Sequence, residues 1–159
     1  MRLFALVFVT CLFAAGLARA DSLSEREGWQ VLPTTKSYTA LVDDLKSAIK
    51  DEGMLVVTQA SASDGAKSRG LTIPGNRVVG VYRNDYAVRM LEASVAAGIE
   101  APIRFYVTEN TDGTATLSWK TPGFVFAPYM EEGGQALQEL AGELDTVFLA
   151  IADKAVTSR

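Results

Sequence analysis

The side chains that most often do chemistry are scarce in this sequence. It has no histidine and one cysteine, Cys11. Without imidazole, Ser-His-Asp and Cys-His nucleophile systems and the zincin motif are excluded, as is any zinc cage of cysteine and histidine. Carboxylate, Lys, Tyr and Arg chemistry remains. The carboxylate pairs Asp43-Asp44 and Glu131-Glu132 are adjacent in sequence, and neighbours on a helix do not share a face, so neither makes a catalytic dyad. Met54, Met90 and Met130 offer thioethers to copper or haem. Met54 and Met90, however, fall in a strand and on an apolar helix face, where methionine is ordinarily filler. The sequence assigns no catalytic residue, no cofactor and no metal site.

One stretch invites a metal reading. In TENTDGTATLSW, Thr108 to Trp119, Asn110, Asp112 and Gly113 stand where a calcium loop wants oxygen ligands and a turn glycine. With Gly113 at the glycine position, the first ligand would be Thr108 and the last, normally a bidentate Glu, would be Trp119. Both ends fail. The same residues suit a three-residue hairpin, with Thr111 and Asp112 in a type I turn and Gly113 in the left-handed position that follows. Pairing Asn110 with Thr114 then places Val107 opposite Leu117, Tyr106 opposite Ser118 and Phe105 opposite Trp119. The apolar residues all fall on one face, as a half-buried sheet requires.

That register carries the first candidate site. On the outer face Arg104 comes opposite Lys120, with Tyr106 one step along. Two opposed cations are mildly unfavourable unless something anionic lies between them. Arg104, Tyr106 and Lys120 therefore make a candidate spot for a carboxylate or phosphate, Tyr106 adding a stacking face or a hydroxyl. Splayed, solvated side chains or ion pairs with nearby acids are the alternative, and Arg77 and Arg83 could join either arrangement. The second candidate is FVFAPYM, read as an apolar loop in which Phe124, Phe126, Tyr129 and Met130 rim a pocket, make a subunit interface, or lie flat over the core.

The elements that must position these residues follow from hydrophobic spacing. Gly28 to Leu32 begins a first strand that Pro33 ends. Ser37 is the N-cap of a helix whose Tyr38, Leu41, Val42, Leu45 and Ile49 recur at helical spacing, stopped by Gly53. MLVVT, Met54 to Thr58, reads as a short buried strand. Ser61 to Gly70 holds an irregular helical turn or two, with Asp64 as a cap, and Leu71 to Asn76 is a loop. RVVGVY, Arg77 to Tyr82, is the next strand. Asn84 caps a helix that turns Met90, Leu91 and Val95 to the core and ends at Gly98. After the hairpin and the apolar loop, Gly133-Gly134 opens a last helix with a stripe of Leu137, Leu140, Leu144, Val147, Phe148 and Ile151. This order describes an α+β domain of two layers, with helices packed on one face of a mostly antiparallel sheet.

The first twenty residues read as a secretory leader: Arg2, an apolar run from Leu3 to Leu17, and Ala18-Arg19-Ala20 as a cleavage site. The run is shorter than the roughly 20 residues that cross a bilayer, so cleavage near Ala20 is expected rather than anchoring, with no stable membrane insertion afterwards. Cys11 leaves with the leader, and the mature chain has neither disulfides nor thiol chemistry. Its 13 basic residues face 19 acidic ones, a net charge of −6, which argues against nucleic acid as a partner. Residues 21–27 are polar and expected to be disordered, and 28–156 to form one domain. The destination is the periplasm or the outside of the cell.

The segments SYTALVDDLKSAI, GMLVV and RVVGVYRNDYAVRMLEASVAAGIEAPIRFYVTENTDGTATLSWKTPGF together resemble the domain-of-unknown-function 302 family, from about Gly28 to Val156. The most specific part is APIRFYVTENTDGTATLSWKTP: a proline-led strand, an acidic Asp-Gly turn, and a strand ending in an aromatic and a proline. Relatives tend to carry Gly-Asn-Pro ahead of the third helix where this chain has Arg83-Asn84-Asp85, so the proline at the first helical position is missing. The resemblance implies a compact α+β unit, plausibly dimeric, and brings no activity or catalytic residues. Residues and resemblance together lead to a non-enzymatic exported domain that binds a small apolar or anionic ligand or a partner subunit, a homodimer included. An enzyme using Tyr, Lys or carboxylates, or a borrowed cofactor, is the alternative.

Overall fold

The computed structural model describes residues 23–158. The leader, its cleavage site and Cys11 lie outside the described residues. The chain folds as β1 (Trp29–Ser37), α1 (Tyr38–Asp51), β2 (Leu55–Ala60), α2 (Ala62–Lys67), β3 (Asn76–Tyr82) and α3 (Asn84–Ala93), then a 3-10 turn (Ala96–Glu100). β4 (Ile103–Glu109), β5 (Thr114–Lys120), α4 (Pro122–Phe126), a second 3-10 turn (Ala127–Tyr129) and α5 (Met130–Thr157) complete it. The five strands form one sheet in the order β1-β5-β4-β3-β2, and every neighbouring pair is antiparallel. The expected α+β, two-layer architecture is the observed one.

The hairpin has the register its turn dictates. Phe105, Tyr106 and Val107 face Trp119, Ser118 and Leu117. Gly113 has φ +83°, the Asn110 N–H donates to the Thr114 carbonyl at 2.8 Å, and the Gly113 N–H donates to the Asn110 carbonyl at 3.1 Å. Asp112 is exposed but bonds back to its own turn. Its Oδ1 accepts from the Thr114 N–H at 3.0 Å and from the Thr114 hydroxyl at 2.6 Å.

The core lies between one sheet face and α1, α3 and α5. Phe105, at its centre, stacks on Phe148 of α5 with centroids 4.6 Å apart and tilts against Trp119 at 5.4 Å. Leu41, Leu45 and Ile49 of α1 and Leu137, Leu140 and Ile151 of α5 are fully enclosed around them. Ser37 caps α1 as expected, accepting from the Ala40 N–H at 3.3 Å. Lys36, just before it, reaches Asp44 of α1 at 2.5 Å and the Ala155 carbonyl near the end of α5 at 2.8 Å, tying the first strand to the last helix.

Several elements differ from the sequence expectation. β1 runs through Pro33 to Ser37, with its register shifting after Pro33. An edge strand tolerates proline because only one side of it must donate, and here the Thr34 hydroxyl bonds the Ala115 carbonyl at 2.7 Å. β2 is the opposite edge rather than a buried strand: Leu55 is 60% exposed, and only Met54, in the turn before it, is enclosed. Ser61, not Asp64, caps α2. Asn84 does not cap α3, whose N-cap Arg83 makes no side-chain cap bond; the helix ends at Ala93, well before Gly98, and buries Tyr86 and Met90. Leu91 and Val95 face outward, and with Val88 and Ile99 they make an exposed apolar stripe. The expected loop FVFAPYM is helical, because Thr121 accepts from the Phe124 N–H at 3.3 Å and Pro122 occupies the first helical turn. α5 starts at Met130 and is kinked at Gly134, whose φ of 55° and ψ of −148° interrupt it.

Candidate functional site

The face of the sheet turned away from α1, α3 and α5 can be read as rows of cross-strand neighbours. Trp29, Lys120, Gly80 and Thr58 form one row with Arg104: Trp29 pairs with Lys120, Arg104 with Gly80, and Gly80 with Thr58. One pleat along lie Val31, Ser118, Tyr106, Val78 and Ala60, again linked pair by pair. The first row is cationic and aromatic, and the second is largely apolar. Successive rows on one face are two residues, or about 7 Å, apart.

A cavity of about 500 Å³ lies over these rows, and Arg104, Tyr106 and Lys120 all line it. The three residues of the first candidate site are thus gathered in one place. Trp29, which sequence reasoning took only as the start of a strand, joins them. The Lys120 Nζ lies 6.0 Å from the centre of its ring, and the Arg26 guanidinium 5.2 Å from the same ring. Val78, Ala60 and Ala62 line the far side. The volume is within the range of small-molecule pockets. A second hollow of about 510 Å³ runs along the outside of β1 but is lined by residues 25–32 alone, so no groups converge on it from different elements.

Among the described residues, Arg104 and Lys120 make no ion pair and no side-chain hydrogen bond. Arg77 and Arg83 are committed elsewhere, Arg77 to Asp64 and Arg83 to Asp85, the latter at 2.7 Å. Neither joins Arg104. The arginine and lysine at the cavity are therefore exposed charges with donors to offer.

The FVFAPYM residues are not gathered in the same way. Phe126 is enclosed in the core, and Phe124, 40% exposed, covers Gly28, where an added Cβ would fall 2.0 Å from its ring. Tyr129 and Met130 pack partly against the core. Val125 alone of this segment lines the cavity, beside Glu100. Tyr129 reaches the site indirectly, its hydroxyl donating to Glu100 Oε1 at 2.8 Å. That bond to a carboxylate holds the Tyr129 phenol above its ordinary pKa, so it stays protonated at neutral pH and acts as a donor.

The cavity gathers two cations unpaired among the described residues, one carboxylate held by a phenol, aromatic walls and an apolar floor. Among the described residues no group of three or more His, Cys, Asp or Glu side chains is arranged to hold a metal ion. Nor is any helix there long and apolar enough to cross a membrane.

No curated protein matches the chain. Among solved structures it is similar to the crystal structure of an uncharacterized conserved protein, DUF302, from Bacillus stearothermophilus. The TM-score is 0.71 at 19% identity, covering 82% of this chain and 99% of that one; at this identity the likeness is one of fold. The family model described as "Domain of unknown function DUF302" matches residues 30–153, which contain the whole sheet except Trp29 and almost all of α5, and the chain therefore belongs to the DUF302 family.

Proposed function

We propose that the protein is a non-enzymatic binding domain that works after export, holding a small apolar or anionic ligand in the cavity on the sheet face turned away from α1, α3 and α5. The observation that carries this reading is the convergence of Arg104 and Lys120, unpaired among the described residues, with Trp29 and Tyr106 on one cavity of about 500 Å³. Unpaired cations over an apolar floor are a poor solution for stability alone, and a bound anion resolves them. Export rests on Arg2, the apolar run Leu3 to Leu17, and Ala18-Arg19-Ala20, which predict a periplasmic or secreted protein beginning at Asp21.

The test is to recover the protein from its own cells by fraction. N-terminal sequencing, native mass and the co-purifying small molecules are then measured. A chain starting at Asp21 with an added small-molecule mass is the expected result. A retained leader refutes export, and a bare monomer that no small molecule stabilises refutes the binding reading; a homodimer without ligand would favour the subunit-interface alternative. An enzyme remains the second reading because of one contact, Tyr129 to Glu100 at the cavity rim. Substituting Tyr129→Phe would abolish activity if that phenol delivers a proton, and would leave ligand binding nearly unchanged if it only fixes Glu100.

A further inference from the structure

We infer that the cavity takes an amphiphilic monoanion, a carboxylate with an extended apolar tail, lying across the strands. The inference rests on the reading of the cavity as a ligand site and adds the ligand's class and direction. Charge balance gives the first part. The charged side chains lining the cavity are Arg104, Lys120 and Glu100, a net charge of +1 that one negative group neutralises. Glu100 accepts from the neutral Tyr129 phenol, so its charge still counts in this balance while Arg104 and Lys120 keep their donors for the ligand head. They stand on neighbouring strands, β4 and β5, where cross-strand side chains are about 5 Å apart, a spacing that lets one carboxylate accept from both.

The rows give the direction. From the cationic row the cavity passes to Tyr106, and from Tyr106 across Val78 to Ala60 on β2. Two strand spacings make this apolar path about 10 Å long. Ala62 and Asn76 close its far end, and their polar groups are engaged there, the Ala62 N–H donating to Asn76 Oδ1 at 2.9 Å and Asn76 Nδ2 to the Pro74 carbonyl at 3.1 Å. A compact polar ion would leave the apolar path empty, a dianionic head would exceed the +1 balance of the lining, and a cationic amphiphile would meet Arg104 and Lys120 head on.

The probes are decanoate, decanol and decylamine below their micelle-forming concentrations, titrated against the purified protein by calorimetry and by tryptophan fluorescence. Decanoate should bind at least about 10-fold more tightly than decanol, as charge-assisted hydrogen bonds imply, and decylamine should bind more weakly than either. In R104A/K120A the advantage of decanoate over decanol should disappear while decanol is unaffected. Val78→Phe should weaken decanoate far more than acetate; Ala60→Phe, on the exposed edge strand, repeats this test should the first variant fold poorly. Equal affinity for decanoate and decanol, or decanoate binding untouched in R104A/K120A, overturns the monoanion inference while leaving the cavity reading standing. Failure of all three probes to bind overturns both. Retention on anionic phospholipid vesicles without binding of free decanoate would assign the cations to a membrane surface and overturn the inference too.

Discussion

Gly80 lies in the same sheet row as Arg104, and replacing it tests how tightly that row is packed. It sits in β3 opposite Arg104 on one side and Thr58 on the other. A Cβ built there falls 2.1 Å from the Thr58 hydroxyl oxygen and 2.7 Å from Pro102 Cγ. The two neighbours differ in how they can respond. Thr58 is on an exposed edge strand and can turn its side chain, whereas the Pro102 ring has no free rotor. Overpacking of this kind costs about 1–3 kcal/mol. Against a ring that cannot turn, the cost falls in the upper part of that range, about 2–3 kcal/mol. Alanine recovers about 0.5–1 kcal/mol through the smaller entropy of its unfolded chain, so Gly80→Ala should lose about 1–2.5 kcal/mol net and lower Tm by about 3–9 °C. Urea unfolding followed by the fluorescence of buried Trp119 measures it. Repeating the substitution in a Thr58→Ala background removes the hydroxyl contact and leaves the Pro102 contact, so part of the loss should return and part should remain. A Gly80→Ala variant as stable as the parent would refute the reasoning, because both neighbours would then yield at no cost. Full recovery in the Thr58→Ala background would assign the whole effect to the hydroxyl.

Three further outcomes follow from particular contacts. Gly113→Ala meets no atom within 4 Å but must hold φ +83°, so equilibrium unfolding should show the backbone cost alone, about 1–2 kcal/mol. Lys36→Met removes bonds to Asp44, to the Ala155 carbonyl and to the Ser158 hydroxyl from a side chain only 14% exposed; a loss of about 2–3 kcal/mol in urea unfolding is expected, and a neutral result would mean that the last turn of α5 is not fastened by it. Asp145 has its pKa raised, chiefly by burial, although the Gly123 N–H donates to it. A raised carboxylate pKa means that the folded state holds the proton more tightly than the unfolded one. The wild type should therefore lose stability relative to Asp145→Asn as pH rises from the unfolded value near 3.8 through the higher folded value. The difference between the two proteins, followed by thermal unfolding from pH 3 to pH 7, should change in that direction, and the opposite slope would show that the charged form is the favoured one.

How much was legible depended on whether the deciding interactions were local. The hairpin was fully readable because its turn residues, Asp112 and Gly113, and its alternating apolar pattern lie together in sequence and demand the same register. The same was true of the Ser37 cap and of the stripe on α5. The errors fell where one segment's environment is set by another. MLVVT has the composition of a central strand, but composition does not state how many neighbours a strand has, and β2 has only one. Leu91 and Val95 continue an apolar helical pattern, but α3 is short and turns Tyr86 and Met90 inward. The helical start at Thr121-Pro122 is a local signal, a Thr cap followed by proline in the first turn, and aromatic content by itself does not make FVFAPYM a loop.

By itself, the sequence determined the fold class, the family likeness, the hairpin and the grouping of Arg104, Tyr106 and Lys120 on one strand face, because strand alternation and turn geometry fix those from neighbouring residues. Only the tertiary structure decided that α1, α3 and α5 pack on the opposite face, so that among the described residues this one carries the cavity. It also brought Trp29 from the other end of the chain to Lys120, and set Val78 and Ala60 beyond Tyr106. Strand order is a choice among distant partners, made by burying the largest apolar surface, and no short-range pattern encodes it.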